Sequence, residues 1–195
     1  MLSCKGCRVP TILLGCAIRN SNRALTMASY KDLFEYAEHF ESFVSRGFPA
    51  EIAAIRDMQH KLAEQQTISL ATQQRLLAVQ APFHLLVVGE MWCPDCQINI
   101  AVMDYLQRGK PNIDLAIISK GRAENELKQR LDLERISIPL VLVLDGHYQP
   151  VGRFVESPRS VIEGGDAVKA DYRAGKYLES TLQDFLDIFE SAAQA

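Results

Sequence analysis

The chain has 195 residues, 48% of them apolar, with 21 Lys and Arg against 24 Asp and Glu for a formal charge of −3. That length suits one domain with a sizeable core, and no apolar run approaches the ~20 residues of a membrane-spanning helix. An acidic body without a clustered basic face also argues against nucleic acid as a partner, because phosphate contacts need grouped Lys or Arg.

Residues 1–27 read as a segment apart. From Met1 to Lys31 there is no Asp or Glu, while Lys5, Arg8, Arg19, Arg23 and Lys31 are basic. Three readings stand side by side. In the first, translation begins at Met27 and the segment is an over-long start or a disordered tail. In the second, Leu13-Leu14-Gly15-Cys16 is a lipobox and Cys16 carries a lipid anchor. In the third, the spaced arginines belong to a mitochondrial presequence. Cys4-Lys5-Gly6-Cys7 has no strand before it and no helix after it. A metal site there needs two further ligands, and neither His39 nor His60 fits.

Residues 28–81 are expected to form a helical extension packed on the core. Leu33, Phe34, Tyr36, Ala37, Phe40, Phe43 and Val44 recur at helical spacing, which predicts one helix from Tyr30 to Arg46, stopped by Gly47. Pro49 opens a second helix to about Gln65, striped by Ile52, Ala53, Ile55, Met58 and Leu62. Ser69 caps a third, running to Gln80. The aromatic residues here are expected as core and not as a ligand pocket.

Residues 82–195 carry the alternation of a mixed α/β domain. Phe83 to Val88 is a nearly continuous apolar strand, as a strand covered on both faces requires; His84 near its start reads as a polar strand end. A helix follows from Pro94 to about Gln107. Ile113 to Ile118 is the next strand, parallel to the first through the βαβ crossover. Ala123 to Leu131 is helical, and Leu140 to Leu144 is the third strand. Asp145-Gly146 turns the chain into an antiparallel fourth strand, Val151 to Val155. Leu182, Phe185, Leu186 and Phe189 stripe a closing helix, Leu178 to Phe189.

Trp92-Cys93-Pro94-Asp95-Cys96 joins the first of these strands to its helix. Of the five cysteines, only Cys93 and Cys96 lie outside the N-terminal segment, which is not the distribution of a disulfide-stapled scaffold. A Cys pair between strand and helix is the context of a redox centre. Cys93 is expected at the N-cap, Pro94 at N1, Asp95 at N2 and Cys96 at N3. Open backbone N–H groups and the positive helix end stabilise a thiolate on Cys93, lowering its pKa from about 8.5 toward 7. Cys93 is then the attacking thiol at an exposed helix start, and Cys96, one turn inward, the resolving one. Asp95 has two readings: its carboxylate lies close enough to disfavour that thiolate, which makes the pair more reducing, or it is only a helix-start residue suited to the dipole.

The WCPDC motif, together with Ile138-Pro139 before the third strand, resembles the thioredoxin superfamily, closest to bacterial thioredoxin-family proteins with a helical N-terminal extension. The resemblance covers about Phe83 to Phe189. It implies an α/β (α+β), thioredoxin-like three-layer fold: a four-stranded mixed sheet flanked by helices. It implies a cis Pro139 beside the active disulfide, excluding metal from the thiols, with Trp92, Ile138 and Pro139 forming the substrate surface. It implies no cofactor beyond the redox-active Cys93–Cys96 disulfide and no metal. Two departures stand out. Thioredoxins proper carry a buried Asp where this chain has Val87, with Glu90 as the nearest stand-in, and a helix-kinking Pro where it has Ala101.

The expected function is a thiol–disulfide oxidoreductase acting mainly as a disulfide reductase in the cytoplasm. Its partners are disulfide-containing proteins or small molecules and a separate reductase as electron donor. The alternatives are a non-catalytic thioredoxin-fold binding module and a redoxin for low-molecular-weight disulfides linked to glutathione. The last wants a basic residue near the motif, and Glu90, Asp95 and Ser137-Ile138-Pro139 supply none.

Overall fold

The structure, a computed structural model, describes residues 28–194; Cys4, Cys7, Cys16 and the three readings of the first 27 residues lie outside it. Ser29 begins the first helix, α1 (Tyr30–Tyr36), with a reciprocal cap. Its hydroxyl accepts from the Asp32 N–H at 3.1 Å, and the Asp32 carboxylate accepts from the Ser29 N–H at 2.7 Å.

The single helix expected over Tyr30 to Arg46 is in fact two. The chain is extended at residues 37–39 and resumes as α2 (Phe40–Ser45). The cause is a tertiary backbone contact. Glu38 exchanges two hydrogen bonds of 2.8 Å with Ile117, an isolated antiparallel bridge. Ile117 belongs to β2 (Ile113–Ile118), which forms one edge of the sheet. Edge N–H and C=O groups need partners, and the break in the helix supplies them. Phe40 and Phe43 are buried as core, whereas Tyr36 is exposed.

Pro49 starts α3 (Pro49–Ala63), where the Glu51 carboxylate accepts from the Phe48 N–H at 2.8 Å. Ser69 caps α4 (Leu70–Ala78). The strands β1 (Phe83–Val88), β2, β3 (Leu140–Asp145) and β4 (Pro150–Val155) make a mixed sheet in the order β2-β1-β3-β4. β1 is parallel to β2 and antiparallel to β3, and β3 is antiparallel to β4. Between β1 and β2 runs α5 (Pro94–Gly109), continuous through Ala101. α6 (Lys120–Arg130) connects β2 to β3.

The stretch after β4, for which sequence reading offers no element, also folds. It forms α7 (Arg159–Gly164), a 3-10 turn (Gly165–Val168) and α8 (Lys169–Arg173) before the closing helix α9 (Leu178–Ala193). α5 packs against α3 and α9. Phe189 stacks on Phe83 and Phe185 on Phe154, locking α9 to the sheet. One apolar cluster runs from Leu33 through Ile55 and Leu76 to Phe189, so the lead-in helices share the core of the sheet. Among the described residues no helix is long and apolar enough to cross a membrane.

Candidate active site

The CxxC pair sits where the chain leaves the C-terminal end of β1. Two glycines show how closely the loop is held. A Cβ on Gly89 would lie 2.8 Å from Ile100 Cδ1 and 3.5 Å from Cys96 Sγ, so the backbone there rests on the helix start. A Cβ on Gly47 would lie 2.7 Å from Met91 Cε, so the turn between α2 and α3 abuts the same loop from the other side. The Gln97 amide donates to the Met91 carbonyl at 2.6 Å and closes the loop on α5. Trp92 is left 61% exposed beside the pair.

Cys93 is the N-cap of α5 and Pro94 its first residue, as the spacing predicts. The Cys96 N–H donates to Cys93 Sγ at 3.4 Å, and the Cys93 thiol donates to the Ile138 carbonyl at 3.5 Å. The Ile138-Pro139 peptide is cis. Both thiols are free. Cys96 is fully buried, and Cys93 is only 5% exposed. The expectation of an open Cys93 is therefore corrected. The helix start is at the surface, but Sγ packs between the Cys96 amide and the Ile138 carbonyl.

The two thiols are electrostatically unequal. Cys93 is drawn down to about 7, first by the hydrogen bond from the Cys96 thiol and then by the Cys96 N–H; burial and the Asp95 charge oppose this. Burial pushes Cys96 far up, and the hydrogen bond to Cys93 and its charge add to that. Only the thiolate attacks, so alkylation of Cys93 should rise with pH through about 7 and level off above it, while Cys96 stays unmodified to about pH 9. Iodoacetamide labelling with mass mapping across that range checks this. A Cys93 midpoint above 8.5, or preferential labelling of Cys96, contradicts it.

Glu90 is engaged at the start of the next helix. Its carboxylate accepts from the Lys120 N–H at 2.7 Å and so caps α6, whose own N-cap Ser119 makes no side-chain bond. Val87 is fully buried. His84, near the opposite end of β1 from the cysteines, stacks on Tyr148 with Phe34 edge-on.

Asp95 has partners that the sequence reading missed. Arg173 Nη1 lies 3.0 Å from Asp95 Oδ1 and Nη2 lies 3.4 Å from Oδ2. A basic side chain thus stands next to the motif after all. The neighbouring Tyr172 is buried, and its hydroxyl faces the same carboxylate. Beneath them Asn99 is fully buried. Its amide nitrogen shares two hydrogens among the Asp95 carbonyl (2.9 Å), the Glu156 carbonyl (2.8 Å) and the Tyr172 hydroxyl (2.7 Å). Its oxygen accepts from the Thr181 hydroxyl at 2.8 Å. One amide therefore joins α5, the end of β4, α8 and α9. Asn99 left a signal, a polar residue among the buried side chains of a helix that are apolar apart from it and Asp104. Tyr172 and Arg173 left none.

A family model described as thioredoxin (Thioredoxin_9) matches residues 48–169, which includes α3 and α4 of the lead-in as well as the sheet. A solved structure of a protein of unknown function, PA1234 from Pseudomonas aeruginosa, is 52% identical with a TM-score of 0.83, covering 85% of this chain and 99% of that one. An HIV epitope scaffold is 49% identical with a TM-score of 0.81, covering 84% and 99%. No curated protein matches. The sheet order and the extent of the match agree: this chain belongs to the thioredoxin superfamily, in the family that this model describes.

Proposed function

We propose that the protein is a thiol–disulfide oxidoreductase that works mainly as a disulfide reductase. The observation that carries the reading is the inequality of the two thiols at the start of α5, with Cys93 drawn to about 7 beside Ile138-Pro139 and Cys96 buried behind it. The Cys93 thiolate attacks one sulfur of a substrate disulfide. A Cys93–substrate disulfide forms, and the other substrate sulfur leaves as a thiolate that takes up a proton. Cys96 gives up its proton as it attacks Cys93 Sγ. The second substrate thiol departs, and the Cys93–Cys96 disulfide remains. Two electrons have passed to the substrate. An external dithiol reductant must return them, and the chain's own redox disulfide serves as its only cofactor.

The exposed Trp92 marks the substrate surface, and an extended segment pairs with the Ile138 backbone beside Pro139; the side chains of Ile138 and Pro139 are themselves buried. A body whose only cysteines are a redox pair suits a reducing compartment, the cytoplasm. A glutathione-linked redoxin is less well supported. Its site needs a free cation, and the Arg173 guanidinium is engaged on Asp95.

Insulin reduction driven by dithiothreitol tests the reading. The wild type should accelerate the reaction well above the dithiothreitol background, and Cys93→Ser should return it to that background. An unchanged rate in Cys93→Ser, or no acceleration by the wild type, defeats the proposal in favour of a binding module.

A further inference from the structure

Asp95 sits one helix position from Pro94 with its side chain a quarter exposed, a place where sequence alone predicts a free negative charge acting on Cys93. The structure surrounds that carboxylate differently. On α8, Arg173 reaches it with both terminal nitrogens, at 3.0 and 3.4 Å. A fork of this kind fixes the direction of a carboxylate as well as its charge. Arg173 is itself held by what precedes it, since the Tyr172 ring is buried and its hydroxyl is tied to the buried Asn99 amide at 2.7 Å. The titratable and charged groups facing the carboxylate are Arg173 and Tyr172 from α8 and the Cys93 and Cys96 thiols from the start of α5.

We propose that Arg173 is a positioning residue that governs Cys93 through Asp95: by pairing with the carboxylate, it sets how much of that negative charge reaches the attacking sulfur. The inference rests on the reading of Cys93 as the nucleophile. It assigns to the segment between β4 and α9 the control of how acidic and how reducing the pair is. With Arg173 in place the Asp95 charge is offset. Without it the carboxylate keeps only the neutral Tyr172 hydroxyl beside it, and its charge acts on Cys93 without a cation to offset it, opposing the thiolate.

The test is the pH profile of Cys93 alkylation by iodoacetamide in the full chain. Arg173→Gln should move the midpoint upward, making alkylation at pH 6 about threefold slower, the equivalent of about half a pKa unit. Arg173→Lys keeps the cation and should stay within the wild-type profile. Asp95→Asn should move the midpoint downward, and adding Arg173→Gln to Asp95→Asn should produce no further shift. A midpoint unmoved in Arg173→Gln overturns the proposal, and so does an equal shift with and without Asp95. A melting temperature that falls while the midpoint stays put also overturns it, since that marks a structural role alone. The readout is thiol reactivity and not turnover. Failure to reduce insulin would therefore sink the reductase reading and leave this one standing, and the converse holds.

Discussion

Cys96→Ser should accumulate mixed disulfides with whatever the wild type reduces. Attack by Cys93 needs only its thiolate and an accessible substrate sulfur, whereas release needs the buried thiol that the variant lacks. Choosing serine matters for a reason specific to this site. The Cys96 thiol is the largest influence holding the Cys93 pKa near 7, and a serine hydroxyl can still donate in its place. Cys96→Ala removes the donor. Its Cys93 should titrate higher, so trapping at pH 7 should be slower than in Cys96→Ser by several-fold, and raising the pH to about 9 should restore it. Non-reducing electrophoresis after mixing each variant with a disulfide substrate separates these outcomes. If Cys96→Ser forms no adduct at pH 8 while the wild type reduces the same substrate, the division of roles between the two cysteines is wrong.

Asn99→Ala should be among the most destabilising single changes available outside the apolar core. The Asn99 amide is fully buried and joins four parts of the chain. Removing it leaves the Tyr172 hydroxyl without its donor and the Glu156 carbonyl without this amide. Thr181 loses its acceptor on α5, though its hydroxyl retains a longer contact of 3.5 Å to the Tyr177 carbonyl. Burying polar groups without partners costs about 1–3 kcal/mol each, and loss of a buried network gives the large values among point mutants. A loss of about 3 kcal/mol is expected, which lowers the melting temperature by roughly 10 °C for a domain of this size. Thr181→Val, which removes one arm only, should cost less than half of that. Urea unfolding measures both. A cost below about 1 kcal/mol for Asn99→Ala would mean that the network does not hold the helix start in place.

Strand and helix periodicity alone located β1 and β2 to the residue, along with β3, β4 and the closing helix to within a few residues. Continuous apolar runs and a striped helix are local patterns, and burial on both faces leaves the chain few other ways to satisfy them. The CxxC pair was legible for the same reason. Its N-cap, N1 and N3 positions follow from counting along one helix start. Tertiary structure alone decided what lies across from those residues. The helix predicted through Glu38 was broken by two backbone hydrogen bonds to Ile117, some eighty residues away, which no periodicity records. Glu90 went to the start of α6, where an uncapped helix end lay within its reach. Cys93 proved nearly covered, because the Ile138 carbonyl packs on its sulfur. The charge on Asp95 was written in the sequence, but its partner Arg173, 78 residues later, was not. Residues 156–177 have no strong local pattern, and their place beside the active site is set by the buried Tyr172 and the Asn99 amide that donates to its hydroxyl. Electrostatic and hydrogen-bond partners act through space, so the chemistry of the pair could be read from the chain and its tuning only from the fold.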